Sequence, residues 1–401
     1  MRRNRKRNVP RVFEWRGPAL AFVLICALLL SGCATAERLV DWVEGGPNPL
    51  VGSPETRHIG GGEVLAAQVG YVLDARETEV AGQVATIQSI ELIVTRGARR
   101  GEVLQVEHRL YPLAGDRPLV EGDRVYVQAE TGAGGAPVYL VSGYQRTTGL
   151  AVLAGVFVLL VLGVAQGRGA RALLGMALSF LILYVYVLPR LAVGAAPVRS
   201  ALIGAAVALP LLYFTAHGMG RKTLVALAGS LVGLGVTAGL AVLAADLVHL
   251  SGYASDEMSF LRAAHGDGVD ALGLVLAGMI VGVLGVLDDI TIAQAALVEQ
   301  LAAVDAALGW RDLYARAMRV GRDHIASMVN TLVLVYAGAS LPLLLLLGDR
   351  SLPLGYILSQ EIVAEEVVRI LVTSSGLVAV VPLVTVLAAV TARVWPWSAD
   401  A

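Results

Sequence analysis

The stretch GVLGVLDDITIAQ, Gly282 to Gln294, sets two carboxylates, Asp288 and Asp289, in a run otherwise made of Gly, Val, Leu and Ile. Carboxylates inside an apolar helix are the groups that hold protons or cations within a membrane. They are also costly there. Each Asp at a helix centre costs about 2.5–3.5 kcal/mol, whereas each Leu, Ile or Val returns about 0.3–0.6. Two charges would cancel most of the gain from the 16 apolar residues Leu272 to Leu287. The pair is therefore expected to face protein or water, buried against the spans that begin near Ile325 and Ile370. Adjacent buried carboxylates also raise each other's pKa, so one of the two is expected to be protonated.

At 100° per residue, Asp288, Thr291 and Glu299 share one face of the helix, with Gln294 at its border. Asp289 lies about 100° away on the other side. In the next span Asp323, Ser327, Asn330, Thr331 and Gly338 form a second stripe, with His324 at its edge. Further on, EIVAEEVVRILVTSS places Glu361, Glu365, Arg369 and Thr373 at steps of four, a ladder containing a Glu→Arg pair. Together these residues form a candidate ion or substrate pathway. A plainer reading stays open: the aspartates mark the cytoplasmic end of a span, and the Glu361–Arg369 ladder is an amphipathic helix at the outer interface.

Composition says what kind of scaffold carries these groups. Of the 401 residues, 56% are hydrophobic and 16% charged, and mean hydropathy is +0.69. A soluble domain carries nearer a quarter charged residues, so the class is integral membrane protein. The net charge of -1, with no basic patch interleaved with aromatics, offers nothing to nucleic acid. The two cysteines, Cys26 and Cys33, lie in the N-terminal apolar segment, and the six histidines have no metal-ligand spacing. No metal site and no cofactor are expected.

Apolar stretches lie near 149–166, 170–189, 200–216, 223–248, 271–298, 325–347 and 370–393. Counting the N-terminal segment, the expected fold is an α-helical polytopic membrane protein of seven to eight transmembrane helices. Residues 1–36 read as a signal peptide or a signal-anchor helix. Within them LSGC, Leu30 to Cys33, matches a lipobox, which would make Cys33 an acylation site. Under both readings residues 37–147 are exported. They hold Val-, Ile- and Tyr-rich runs punctuated by Gly and Asp: GEVLAAQVGYVLDA, QVATIQSIELIVTRG, GEVLQVEHRLYPL and GDRVYVQAET. These runs predict a small exported β-barrel or sandwich, OB-like, after the first helix. Residues 148–396 form the membrane domain. Arginines in QGRGAR, GMGRK and WRDLYARAMRVGRDH put those loops in the cytoplasm and agree with an exported β domain in a bacterial inner membrane.

The segments GMIVGVLGVLDDITIAQAALVEQL, GRDHIASMVNTLVLVYAGASLPLLLL and EIVAEEVVRILVTSSGLVAVVPLVTVLAA resemble the YibE/F family of bacterial multi-pass membrane proteins. The resemblance covers roughly 150–393 and implies a permease, without naming a substrate. A looser similarity links the order of the polar groups to SecD/SecF and RND-type exporters: an acidic span, a Glu, a short cytoplasmic helix, then a span with VNT (Val329 to Thr331). Two functions are weighed on this basis. One is ion- or proton-coupled transport of an unknown solute, with Asp288 or Asp289 titrating. The other is a non-transporting envelope protein whose membrane part anchors a β domain for a partner. No enzyme is expected: VLDD lacks the G-x-G-D of aspartyl intramembrane proteases, and no H-E-x-x-H occurs.

Overall fold

A computed structural model describes residues 63–80, 83–110, 117–131, 137–265, 268–347 and 352–394. The signal or anchor segment and Cys33 lie outside the described residues. The chain divides into two compact units between Gly163 and Val164.

The first unit is built on five antiparallel strands: β1 (Glu63–Val80), β2 (Gln83–Val94), β3 (Val103–Leu110), β4 (Arg124–Thr131) and β5 (Pro137–Tyr144). Four of them arise from the four β-type runs. The fifth, PVYLVSGY, has no clean alternation and is not singled out by sequence pattern. The order is β3-β2-β1-β4-β5, so β1 pairs with β4 at its start and with β2 further along. Irregularities between Val69 and Tyr71 and between Val72 and Asp74 bend this 18-residue strand. The sheet curls until its two ends, β3 and β5, nearly meet. Period-two alternation then sends one face inward. Leu65, Ala67 and Val69 of β1 meet Ile90, Leu92 and Val94 of β2 and Val125 and Val127 of β4 in one apolar core. Gln88 is buried there without penalty, because its side chain accepts from Leu119 N at 2.9 Å and donates to Leu119 O at 3.2 Å. Arg99 ties the β2–β3 turn to β5, donating to Glu102 and to the Tyr139 hydroxyl at 2.7 Å. Hydrogen bonds from Arg99 hold the Glu102 carboxyl below the usual carboxylate range.

The helical region begins with α1 (Thr147–Ile182), which is non-helical at Gln166 (φ 49, ψ -131), a left-handed conformation that costs a side chain energy. A π turn, Leu183–Val187, leads into α2 (Leu188–Ala192). Then come α3 (Pro197–His217), α4 (Arg221–Val248), α5 (Asp256–His265), α6 (Ala271–Val304), α7 (Trp310–Ala339), α8 (Leu341–Leu347), α9 (Leu354–Leu358) and α10 (Glu361–Val394). Ordinary signals set the boundaries. Pro197 opens α3 and Gly218 at φ 78 closes it; Asp270 caps α6 by accepting from Gly273 N at 2.8 Å.

Five helices among the described residues are long and apolar enough to cross a membrane: Thr147–Ala192, α3, α4, α6 and α10. The stretches 149–166 and 170–189 fall within the first of these, a run of 46 residues. The stretch 325–347 is not a separate helix. Its first part continues α7 without a break from the charged segment 310–324, and its end forms α8.

In the second unit α6 packs against α3, α4, α7 and α10. Between α4 and α10 the contact is antiparallel and repeats every four residues. A Cβ on Gly229 would lie 2.9 Å from Val384 Cγ2, and one on Gly233 2.6 Å from Val380 Cγ2 and 3.2 Å from Leu287 Cδ2. One turn further, the Thr237 side chain fills the space that a Cβ on Gly376 would need. Without a hydrophobic driving force between helices in lipid, small residues that allow such close approach are what make them associate. Gly233→Leu is therefore expected to destabilise the bundle by about 1–3 kcal/mol or more, the cost of overpacking. Gly235→Leu, two residues on, meets nothing within 4 Å and should be silent. Thermal unfolding of the two detergent-solubilised variants compares them. Equal midpoints would show that the α4–α10 contact is not close-packed.

Candidate functional site in the helical bundle

Thr291 sits on the buried face of α6, and two hydroxyls from neighbouring helices converge on its own. The Tyr213 hydroxyl of α3 lies 2.5 Å from Thr291 Oγ1 and 2.6 Å from Ser230 Oγ of α4. Ser230 Oγ and Thr291 Oγ1 are 2.9 Å apart and close the triangle. All three residues are fully buried. Each hydroxyl has one proton to give and can accept. A ring in which each donates to the next satisfies all three, and it can run in either sense. The Leu287 carbonyl, 3.4 Å from the Tyr213 hydroxyl and 3.5 Å from Ser230 Oγ, is the next acceptor out.

Beside this triangle is Asp288. One turn past Tyr213, His217 brings its Nε2 to 3.6 Å from Asp288 Oδ1, and the two α3 rings lie 6.0 Å apart. That separation is longer than a hydrogen bond. Asp288 Oδ1 is itself buried and accepts no hydrogen bond from any described residue, although the side chain as a whole is about one-fifth exposed. That oxygen lacks the donors that normally offset desolvation, while the carboxyl as a whole also interacts with the Tyr213 hydroxyl.

The other expected pathway residues distribute differently. Asp289 is exposed, so the two aspartates do not form a buried pair. The 100° step that separates neighbours on a helix turns one toward α3 and the other out of the bundle. Asp288 meets α3 rather than the segments beginning at Ile325 and Ile370. Glu299 is half-buried, with its Oε2 3.9 Å from Lys222 Nζ at the start of α4. Gln294 is buried, but it serves the packing of α7: its Nε2 donates to Ala317 O at 3.1 Å, and it fills the space above Gly321. Asp323, Asn330 and Thr331 are exposed on α7, and Thr331 Oγ1 donates back to Ser327 O at 3.0 Å. Their stripe faces away from the bundle.

The Glu361–Arg369 ladder lies at the opposite end of the unit. Glu361 accepts from the Ser251 and Gly252 amides and from Ser251 Oγ at 2.9 Å, which fixes the turn after α4. Gly252, at φ +80, lies against Ala271 and Leu272, so this turn also touches the start of α6. Arg369 Nη2 donates to Glu365 Oε1 at 2.9 Å, and its Nε lies 3.3 Å from Glu366 Oε2. These three line a pocket of about 570 Å³ together with Ser255 and Ser340. Two polar clusters therefore exist, one around Asp288 and one around Glu365.

Tyr213, Ser230 and His217 are the members that sequence reasoning missed. The one available signal is local: Ser230 lies between Gly229 and Gly233 in an apolar helix, where a small hydroxyl can reach a neighbouring helix.

The family model for YibE/F-like protein matches residues 153–394, which include both clusters. No curated protein and no solved structure matches the chain. The match extends over more than half of the chain and over the whole of the described bundle beyond Gln166, and on that ground the chain belongs to the YibE/F family.

Proposed function

We propose that the protein is a proton-coupled permease of a bacterial inner membrane, in which Asp288 takes up and releases the coupling proton. The observation that carries this reading is the buried, donor-free Oδ1 of Asp288 beside His217 and the hydroxyl triangle. A carboxyl donates when protonated and only accepts when ionised, and the hydroxyls and imidazole beside Asp288 can do either. Each state is thus stabilised by a different arrangement of the same groups, which is what a coupling site requires. The geometry favours a proton over a metal cation. Oxygen ligands at about 2.3–2.6 Å from a hard cation stand about 3.3 Å or more from one another at right angles. The triangle's edges of 2.5–2.9 Å are hydrogen-bond lengths.

The proposed topology counts seven spans after the N-terminal segment. The run Thr147–Ala192 would supply two of them, because 46 residues extend about 69 Å when helical, over twice a 30 Å core. The second half of α7 with α8 would supply another. The β domain is then exported and residues 300–322 are cytoplasmic. A phosphatase reporter fused after Gly143 should be active and one fused after Arg316 inactive; the opposite pattern overturns the orientation.

A second reading, an envelope protein that binds a partner through its β domain, is favoured by the open cleft of about 1380 Å³ between β3 and β5. Infrared difference spectroscopy separates the two. Under the coupling reading a protonated-carboxyl band appears and vanishes as pH is cycled, and Asp288→Asn removes it together with gradient-driven acidification of proteoliposomes reported by a trapped dye. Thr291→Val, which deletes one hydroxyl at constant size, should lower stability by about 1–3 kcal/mol through the unpaired partners, yet keep the carboxyl band. An Asp288→Asn protein that still acidifies the vesicles as the wild type does would end the coupling reading.

A further inference from the structure

The cleft of the first unit has a chemical character of its own. It opens where the two terminal strands of the sheet, β3 and β5, approach without a hydrogen-bonded ladder, and the segment 117–123 forms its floor. Both acidic lining residues are engaged elsewhere: Glu107 pairs with Arg76 at 3.1 Å, and Asp123 Oδ2 accepts from Val120 N at 2.9 Å. Three guanidiniums, Arg109, Arg117 and Arg146, line the same cleft, and none holds a carboxylate among the described residues. Two of them flank one phenol: the Tyr144 hydroxyl donates to the carbonyl of Pro118, the residue after Arg117, at 3.4 Å, and Arg146 follows Tyr144 by two residues in the same lining. Burial, and then Asp123, push this hydroxyl up, whereas Arg117 and Arg146 pull it down. Arg146 folds back over Gly143, where its Nη1 lies 4.0 Å from the Cβ position. Gly143 is at φ +149, a conformation that side chains rarely adopt.

Next to this positive cluster the cleft also presents aliphatic side chains. Val120, Val138 and Leu140 are exposed by 59%, 47% and 43%. Arg146 is also the residue before Thr147, the first of α1, whose Leu150 and Leu153 are exposed in turn. Guanidiniums beside exposed aliphatic side chains, at the root of an apolar helix, suit a ligand with an anionic head and a hydrocarbon body. Planar guanidinium matches phosphate oxygens in pairs, and basic pockets next to membrane helices take lipid headgroups. A soluble anion would leave the aliphatic strip uncovered.

We propose that this cleft binds an anionic phospholipid, with Arg117 and Arg146 on the phosphate, Arg109 at its margin, and Val120, Val138 and Leu140 against the first methylenes of a chain. The site is independent of proton coupling in the bundle and stands or falls without it.

Hydrogen exchange of the full-length protein in nanodiscs tests it. Discs of phosphatidylglycerol should slow exchange across 118–123 and 138–144 relative to discs of phosphatidylcholine. In mixed discs Arg117→Gln with Arg146→Gln should raise the phosphatidylglycerol fraction needed for half-protection by about 25-fold, at roughly fivefold per arginine. Exchange of the Leu119 amide, held by Gln88, reports in phosphatidylcholine discs that the double variant is folded; if it is not, Arg117→Lys with Arg146→Lys replaces it, keeping the charge but losing the paired geometry, and should weaken protection less. Equal protection by both lipids overturns the proposal. So does protection that survives the double glutamine change. Full protection by glycerol phosphate in phosphatidylcholine discs would assign the cleft to a soluble phosphate and overturn the lipid.

Discussion

The polar interior of the bundle depends on one closed arrangement, the three hydroxyls of Tyr213, Ser230 and Thr291. Each comes from a different helix, and each is fully buried. In a lipid-embedded bundle an unpaired hydroxyl has no water to turn to, so α3, α4 and α6 are held to the spacing at which all three bonds form. The same spacing decides what Asp288 can do. Its carboxyl is placed one turn from Thr291 and opposite His217, close enough to respond to charge there and too far for a hydrogen bond. The triangle is rigid in geometry and ambiguous in proton order, a combination suited to a site that responds to a nearby charge.

That spacing is in turn permitted by what α4 lacks. Gly229 and Gly233 flank Ser230 and let α4 lie against Val384 and Val380 of α10 with no side chain between. A larger residue at either position would move α4 away, and Ser230 would lose contact with Thr291. Packing and polar chemistry are therefore coupled through one helix. The β unit solves a similar problem by other means: its buried Gln88 is made harmless by a two-bond clasp on the backbone of Leu119, 31 residues further along the chain.

How much of this was legible depends on whether a feature is local. Helical periodicity identified the inward face of α6 at Thr291, because 100° per residue is a property of the backbone. It also placed Asp289 off that face, yet adjacency in sequence suggested a buried pair that the fold does not make. The α7 stripe of Asp323, Asn330 and Thr331 was legible as a stripe but not as an exposed one, since a pattern names a face and not what the face meets. Likewise the Glu361–Arg369 spacing gave the Glu365–Arg369 pair, but not that Glu361 fixes the turn at Ser251 and Gly252. Tyr213 and Ser230 were invisible as partners, because only tertiary packing brings α3 and α4 onto Thr291. In the sheet, Val-, Ile- and Tyr-rich runs punctuated by Gly and Asp gave four strands; β5, PVYLVSGY, was not among them.

Along the bundle between its two polar clusters, α4 and α10 pack closely. α6 and α10 both begin at the end where Glu361 fixes the turn against Ala271 and Leu272. At 1.5 Å per residue, Glu365 near the start of α10 and Asp288 midway along α6 are about 20 Å apart along the axis. The Thr237–Gly376 contact lies between them and the Gly233–Val380 contact lies level with Asp288, and at both a single added methyl group has no room. No polar path can pass between α4 and α10 at such a layer while it is closed. A path along the α4–α10 seam would require these two helices to part. A contact made of small residues is well suited to that, because close backbone approach gives strong packing without long side chains to disentangle. The close packing that sets the place of Ser230 thus also seals the α4–α10 seam.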